Sequence, residues 1–402
     1  MTEAVSQPAV WQIEQAEYDD RLTRVRLALV ERELAALVVF GAHRIAYLTG
    51  FFHIHTERPI VLVITPAELG LLIPKLEQEH VAGSLGSARL AVYSEYPGTR
   101  HPMSHLADLL AELGLGGKRI GYDHDGYYDV NGYLGPPLSS LLERPGEPAR
   151  DIVDTMRMVK SEAELRLLRE SARWGDETFA ELVARIEPGR APREVALEAS
   201  LEGTRRMTAT LGPTYRPLTI FLGPPARAVL HAGANTVFPH GLGSGEVLRR
   251  GDVLSGLAHA DVGGYIALQG RTMFLGEPDP RCIRAFSLML ELREVGLEAL
   301  RPGRRLCEVE ADICRAYERL GVLEWQRHHS GHSLGLELHE PPFIDLGDER
   351  IVEPGMLFAV EPALYLPELG GFAHGDTVVV TATGVERLTL SPLDLDALTI
   401  DV

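Results

Sequence analysis

Cysteine is scarce in this sequence, which has Cys282, Cys307 and Cys314 among 402 residues. These three form no disulfide framework and no zinc-type spacing, which fits a reducing compartment and predicts a cytoplasmic protein. Positive charge is also short, since 39 Lys and Arg residues face 57 Asp and Glu residues, for a net charge of −18. That balance predicts a protein that does not bind nucleic acid.

Long apolar runs are absent as well. No stretch approaches the length of a membrane span, and residues 1–10 are polar and lack the apolar region of a signal peptide, so we expect no membrane partner. Hydrophobic residues make up 45% of the chain, as in globular proteins. Since 402 residues are too many for one ordinary core, the length predicts two domains.

Helical and strand patterns alternate over the first 150 residues, which favours helices packed on a central sheet. The predicted strands cover residues 35–40, 60–65, 69–74, 90–96 and 118–122. The predicted helices cover residues 18–33, 75–85 and 101–113. A segment rich in Pro and Gly at residues 143–148 marks the domain boundary. We predict one domain over residues 1–150 and a second over residues 151–402.

The second domain opens with a capping box and contains a short internal repeat. Ser161 can accept a hydrogen bond from the backbone of Glu164 while the Glu164 side chain reaches back, which predicts a helix start. Further along, a Pro-Gly-Arg turn followed by Glu-Val occurs at residues 188–195 and again at residues 302–309. Each copy is predicted to end one helix and start another, which suggests a duplicated αβ half with a sheet between the copies.

Motifs along nearly the whole chain resemble the pita-bread superfamily, peptidase family M24. It contains methionine aminopeptidase, proline dipeptidase, aminopeptidase P and creatinase. The motifs are IAYLTGF at residues 45–51, GANTVFPH at 233–240, SGHSLGLELHEPP at 330–342 and PGMLFAVEP at 354–362. The resemblance implies an α/β (α+β) fold class, with a creatinase-like N-terminal α/β domain followed by a C-terminal pita-bread domain with pseudo-twofold αβ halves.

The resemblance also implies a dinuclear metal site, and most of its ligands are missing here. In the family, two Asp, one His and two Glu hold two divalent ions. His332 and Glu361 keep their places, whereas Leu257 and Leu268 stand at the Asp positions and Gly375 at the last Glu position. Neither Leu nor Gly offers a side-chain atom that coordinates a cation. We therefore predict no metal cofactor; the alternative is a divalent metal at a degenerate site.

Among metal-free relatives, creatinase resembles this chain in detail. His240 lies where the creatinase general acid/base histidine lies, and His332 and Glu361 also correspond. Arg58 falls near a substrate-carboxylate arginine that the partner subunit contributes in creatinase. The resemblance therefore implies a homodimer, with Arg58 binding substrate.

Two departures count against creatine itself as the substrate. Phe343 replaces a second carboxylate-binding arginine, and Gly270 replaces a substrate-binding glutamate. Phe343, Leu257 and Leu268 are predicted to form an apolar pocket wall, and His339 to line the pocket. The substrate is therefore expected to be less charged than creatine.

These residues favour a metal-independent hydrolase that cleaves a C–N bond of a small amide- or amidine-type substrate. His240 would act as general acid and base, with His332 and Glu361 completing the catalytic set. Two alternatives stay open. One is an Xaa-Pro dipeptidase- or aminopeptidase-like metallopeptidase acting on short peptides, with a metal held by rebuilt ligands such as His259, Asp261 or His374. The other is a non-catalytic pita-bread binding protein.

Overall fold

The computed structural model describes residues 11–82, 85, 87–128, 131–218, 223–243 and 245–402. Contacts divide the chain into two compact units. The N-terminal unit is Ile13–Arg157, and the C-terminal unit is Met158–Val402 with residues 11 and 12. The domain division predicted after residue 150 stays a prediction. The predicted lack of a signal region in residues 1–10 lies outside the described residues.

Helices pack on a mixed sheet in the N-terminal unit, as the alternating sequence pattern predicts. Among the described residues, the sheet order is β4-β3-β2-β1-β5-β6, with β2 antiparallel to both neighbours and the other pairs parallel. The helices are α1 (Gln15–Glu31), α2 (Ala42–Thr49), α3 (Gln78–Ala82), α4 (Pro102–Glu112) and α5 (Asp151–Met158). The strands are β1 (Ala36–Val39), β2 (Val61–Ile64), β3 (Leu69–Pro74), β4 (Arg89–Tyr93), β5 (Ile120–Tyr122) and β6 (Glu147–Pro148).

A larger sheet forms the centre of the C-terminal unit. Its helices are α6 (Glu162–Val183), α7 (Pro192–Leu211), α8 (Pro280–Ala299) and α9 (Leu306–Leu320). Its strands are β7 (Ala226–Ala232), β8 (Val253–Val262), β9 (Tyr265–Leu275), β10 (Gly331–Ser333), β11 (Glu340–Ile344), β12 (Leu357–Val360), β13 (Ala363–Leu366), β14 (Gly370–Ala373), β15 (Gly375–Val380), β16 (Val385–Arg387) and β17 (Thr399–Ile400). The described strands follow the order β11-β10-β12-β15-β9-β8-β7, with β16 beside β15, β17 beside β9, and β13 and β14 forming a separate hairpin. In the described part of the chain, no helix is both long and apolar enough to cross a membrane.

Backbone hydrogen bonds repeat between the two halves of the C-terminal unit. In the first half, the Gly189 N–H donates to the Leu248 carbonyl at 2.8 Å, and the Leu248 N–H donates to the Arg190 carbonyl at 2.9 Å. The second half repeats this pair at its own Pro-Gly-Arg turn, with distances of 2.9 and 2.8 Å. The repeated bonds are Gly303 to Val352 and Val352 to Arg304. Both Gly189 and Gly303 have left-handed φ angles, of 85° and 86°, which glycine adopts without strain.

The repeat extends into the strands that follow each turn. The Gly251 N–H donates to the Leu275 carbonyl at 2.7 Å before β8, and the Gly355 N–H donates to the Val380 carbonyl at 2.9 Å before β12. Their φ angles, 88° and 89°, are again left-handed. The duplicated design that the sequence suggests is therefore present in the backbone, and it makes β8 and β12 equivalent.

One face of the large sheet packs against helices. A Cβ on Gly175 of α6 would lie 3.7 Å from the His259 Cα, so α6 approaches β8 closely. Further along, Asp376 of β15 accepts hydrogen bonds from Arg271 of β9 and from Arg293 of α8, each at 2.7 Å. These three side chains are buried and tie two strands to a helix. Because side chains alternate along a strand, the residues next to Arg271 and Asp376 point to the other face.

Candidate functional site

Strand registers place most of the sequence-predicted residues on the face of the sheet opposite the helices, which we call the site face. Leu257 of β8 lies opposite Gly270 of β9, and Gly270 lies opposite Gly375 of β15. The same alternation continues through β12 into β10 and β11. The members of this face that matter here are Leu257, His259, Asp261, Leu268, Gly270, Gly375, His332 and Phe343.

The buried His332 and the half-buried Glu361 form a pair at one end of the site face. The Nδ1 atom of His332 lies 2.9 Å from the Ser333 carbonyl oxygen, and its Nε2 atom lies 3.5 Å from Oε1 of Glu361. A carbonyl oxygen only accepts, so Nδ1 carries a proton, and a contact between Nε2 and the carboxylate needs a second proton. Burial opposes the charged ring, but Glu361 outweighs it and raises the pKa of His332. Burial likewise opposes the carboxylate, and His332 outweighs it and lowers the pKa of Glu361. Both shifts favour an imidazolium beside a carboxylate.

Two further histidines belong to this cluster. The His339 ring stacks on the His332 ring, with centroids 3.8 Å apart and planes 13° apart. Burial and the charge of His332 lower the pKa of His339, and the charge of His240 adds to the effect. His240 is exposed, in the loop that follows a short 3-10 helix at Gly233–Val237. The structure thus brings His332, His339 and Glu361 together, and His240 lies near enough for its charge to act on His339.

Apolar residues occupy the remaining positions that the family resemblance assigns to metal ligands. A Cβ at Gly375 would lie 3.5 Å from Oε2 of Glu361, so a glutamate at this position would share the space of Glu361. Leu268 is buried and Leu257 half-buried on the same face. Within the described ranges of the chain, no group of three or more His, Cys, Asp or Glu side chains is arranged to hold an ion. The donor set at this point, one imidazole and one carboxylate, does not fit a dinuclear metal centre.

His374 lies on the helix side of the sheet. Its ring centroid is 5.1 Å from that of Phe286 in α8, and burial followed by the charge of Arg271 lowers its pKa to about 3. His259 and Asp261 lie on the site face, so His374 does not join them as a third ligand. The rebuilt metal site that the sequence left open is not assembled from these three residues.

The two remaining predicted substrate-binding residues, Phe343 and Arg58, belong to different units of the chain. Phe343 is the cross-strand neighbour of His332, and its ring centroid lies 5.6 Å from that of His329. It lines a cavity of about 870 Å³ together with His329 and Asp345. Arg58 belongs to the N-terminal unit, where its Nε donates to Oε1 of Glu95 at 2.7 Å. The predicted substrate contact of Arg58 stays a prediction.

Sequence reasoning missed Lys160 as a support of the cluster. Its Nζ atom donates to Oε1 of Glu340 at 2.9 Å and to Oγ of Ser333 at 3.0 Å, with all three residues buried. Ser333 follows His332 and Glu340 follows His339, so one ammonium group fixes both ends of the intervening loop. The available signal was the charge of Lys160, just before the capping box at Ser161, and the opposite charge of Glu340 inside the motif at residues 330–342.

Comparison with known proteins decides the family. The sequence profile described as metallopeptidase family M24 matches residues 166–382, more than half of the chain. The chain belongs to family M24. The creatinase/prolidase N-terminal domain profile matches residues 21–159. The family resemblance and the fold class expected from the sequence are therefore both confirmed.

Individual M24 proteins are similar over nearly the whole length. The probable dipeptidase PepE of Mycobacterium tuberculosis is 27% identical over 384 residues, which cover 94% of this chain and 96% of PepE. Creatinase of a Bacillus species is 25% identical over 392 residues, with 92% and 90% covered. An Xaa-Pro dipeptidase structure from Bacillus anthracis superposes with a TM-score of 0.78 at 23% identity, covering 96% of this chain and 100% of that one, which shows a shared fold.

Proposed function

We propose that this M24 protein is a metal-independent hydrolase that cleaves a C–N bond of a small amide- or amidine-type substrate. The observation that carries the proposal is the His332–Glu361 pair, with Nε2 and Oε1 3.5 Å apart, beside Leu and Gly at positions where carboxylates would be needed to hold two metal ions. A charged pair beside an apolar wall can bind a polar reacting group and exclude water around it.

His240 is the proposed general base and general acid. Its neutral imidazole takes a proton from water, and the resulting hydroxide attacks the carbon of the C–N bond. The C–N bond then breaks, and His240 returns the proton to the leaving nitrogen. Water thus adds OH to the carbon and H to the nitrogen, and His240 ends unchanged. Proton transfer of this kind contributes about 10²- to 10⁴-fold in rate.

His332 and Glu361 have complementary roles in this scheme. The imidazolium of His332 stabilises negative charge that develops on the attacked group. The Glu361 carboxylate accepts a hydrogen bond from an N–H of the substrate. His339, which stacks on His332, is proposed to line the pocket. Leu257, Leu268 and Phe343 are proposed to contact the less polar part of the substrate.

The names of the relatives support a small substrate. Both a probable dipeptidase and a creatinase align with more than nine tenths of the chain. The homodimer that the resemblance implies, with Arg58 reaching the partner's pocket, belongs to the same proposal, and so does a cytoplasmic location. The three cysteines are free, which fits a reducing compartment.

The proposal is tested by turnover of a panel of amides, cyclic amidines and dipeptides, detected by mass spectrometry with and without a chelator. We expect hydrolysis of at least one compound, unaffected by the chelator. The His240→Ala variant should retain its circular dichroism spectrum and lose turnover by about 10²- to 10⁴-fold.

His105→Ala is the matched control, because His105 lies in α4 of the N-terminal unit. Its turnover should equal that of the unchanged protein. Full activity in the His240→Ala variant would disprove the assigned role. Activity that the chelator abolishes and Mn²⁺ restores would favour the Xaa-Pro-type metallopeptidase, and binding without turnover would favour the non-catalytic binding protein.

A further inference from the structure

A second cavity lies on the site face, where β7, β8 and β9 run side by side. It has a volume of about 260 Å³, and its lining includes Arg227, His259 and Asp261 with the apolar Pro225, Ile266 and Leu338. Arg227 lies opposite His259 in the strand register, and Asp261 lies opposite Ile266. His259 follows Leu257 by two residues, which places the cavity roughly 7 Å along β8 from the apolar wall.

Asp261 presents an unpartnered oxygen at this cavity. The residue is only 3% exposed, and its Oδ1 atom accepts the Gly264 N–H at 2.7 Å. Its Oδ2 atom is buried and has no hydrogen-bond partner among the described residues. The backbone is held on both sides, since the Asp261 N–H donates to the Pro225 carbonyl at 2.8 Å and the Tyr215 hydroxyl donates to the Asp261 carbonyl at 2.9 Å. A buried carboxylate oxygen left without a donor is costly, so this geometry is made for a ligand that donates.

The cavity lining also includes a permanent cation, the Arg227 guanidinium. Burial, followed by the charge of Arg227, lowers the pKa of His259 to about 4, so this ring is neutral at pH 7. Its Nδ1 atom is buried and makes no hydrogen bond within the described chain. The cavity lining therefore combines a cation, a carboxyl group and a neutral imidazole.

We propose that this cavity binds a small zwitterion of the α-amino acid class. The carboxylate of the ligand pairs with Arg227, and its ammonium group donates to Oδ2 of Asp261. His259 hydrogen-bonds the ligand through Nδ1, while Pro225, Ile266 and Leu338 contact the carbon skeleton. Burial raises the pKa of Asp261 to about 7, and a bound ammonium group stabilises its ionised form.

The zwitterion site is separate from the His332–Glu361 pair. The Glu361 carboxylate lies beside Gly375 of β15, which is two strands from β8, or roughly 10 Å along a flat sheet, and Asp261 lies four residues further along β8 than Leu257. A glycine-sized ligand bound by Asp261 therefore leaves the pair free. The site goes beyond the proposed hydrolysis, and binding to it is measurable without turnover.

Titration calorimetry with glycine, acetate and methylammonium tests the site on the full chain. Glycine should bind, and acetate and methylammonium should each bind at least about tenfold more weakly, because each loses one charged hydrogen bond. In Asp261→Asn the dissociation constant for glycine should rise by about tenfold or more. Asp396→Asn removes an exposed charge of the same unit and should leave it unchanged. His240→Ala should also bind glycine normally, which separates this site from the catalytic proposal.

Each other result overturns the proposal. Acetate binding as tightly as glycine would identify an anion site, and methylammonium binding as tightly would identify a cation site. Zn²⁺ binding that Asp261→Asn abolishes would identify a metal site. Absence of glycine binding at millimolar concentration would remove the site altogether. If Asp261→Asn does not fold, Arg227→Gln replaces it, and glycine should then bind no better than methylammonium.

Discussion

At the scale of single residues, the site depends on which atoms of His332 carry protons. The Ser333 carbonyl takes the Nδ1 proton, so Nε2 faces Glu361 and can pair with it only when the ring is charged. In a metal site, the same Nε2 atom would be an electron-pair donor. The contacts of His332, a carbonyl oxygen at Nδ1 and a carboxylate at Nε2, therefore favour the protonated ring over a neutral metal ligand.

The His332–Glu361 pair should stabilise the fold within a defined pH window. The contribution of His332 is complete below its unfolded pKa of 6.5 and is lost as pH rises through its raised pKa in the folded state. The contribution of Glu361 is complete above its unfolded pKa of 4.5 and is lost as pH falls through its lowered pKa. We expect Glu361→Gln to reduce the free energy of unfolding by about 1.5 kcal/mol between these pH values, and by less at pH 9. Urea unfolding across this range measures the difference.

Glu386→Gln is the matched control, since Glu386 makes an exposed ion pair with Arg169. Its effect should stay below about 0.5 kcal/mol at every pH. A loss in Glu361→Gln that does not change between pH 5 and 9 would contradict the charged pair.

Sequence patterns identified individual residues of the site where a family motif contains them. The family resemblance placed His332, Glu361, Leu257, Leu268 and Gly375, and the strand registers bring all of these except Glu361, which follows β12, to one face. The pairing of Lys160 with Glu340 and the unpartnered oxygen of Asp261 could not be predicted. Both depend on which segments of the folded chain meet, which local sequence does not specify.

At the scale of elements, helix starts and turns were predictable because their signals are local. The capping box at Ser161 is present at the start of α6, with the Glu164 N–H 3.1 Å from Oγ and the Ser161 N–H 2.9 Å from Oε2 of Glu164. Both Pro-Gly-Arg turns end one helix and precede another, as predicted. A capping box and a Pro-Gly-Arg turn each depend on a few residues that are neighbours in the sequence, so they can be identified without knowing the fold.

Strand and helix ends were less predictable. The predicted strand at 90–96 corresponds to β4, which ends at Tyr93. Beyond it, Oε1 of Glu95 accepts the Tyr96 N–H at 2.8 Å, and Pro97 has no N–H to donate. The predicted helix at 75–85 begins as a 3-10 turn at Lys75–Glu77 and continues as α3, and residues 83 and 84 lie outside the described chain.

Removing the cap at the start of α6 should have a measurable effect. Ser161→Ala leaves the Glu164 N–H without its partner, so we expect a loss of about 1 kcal/mol in the free energy of unfolding. Urea denaturation followed by circular dichroism at 222 nm measures it. Ser287→Ala in the middle of α8, where the side chain is exposed, should change stability by less than about 0.5 kcal/mol. Equal losses in the two variants would contradict a specific capping role.

At the scale of the whole molecule, the site face draws residues from both halves of the duplicated unit. Restoring carboxylates should therefore create a metal site across the halves. In the triple variant Leu257→Asp, Leu268→Asp and Gly375→Glu, we expect about two Mn²⁺ per chain, because five ligands would then face one space. Elemental analysis by mass spectrometry after gel filtration counts the ions, and the unchanged protein should retain far fewer than one per chain.

A neutral variant of similar shape is the control for this experiment. Leu257→Asn, Leu268→Asn and Gly375→Gln add polar atoms without charge and should not retain Mn²⁺. Two ions per chain in the unchanged protein would refute the donor-set argument, whether or not the triple variant folds.

The equivalence of Gly251 and Gly355 bears on how a bound molecule is oriented. Leu257 follows Gly251 by six residues, and Glu361 follows Gly355 by six residues. The two halves of the duplication therefore have a hydrocarbon side chain and a carboxylate at equivalent positions. The backbone repeats in the two halves, but this pair of side chains does not. A molecule bound along the site face therefore contacts hydrocarbon at one end and a carboxylate at the other, so a molecule with two different ends binds in one direction.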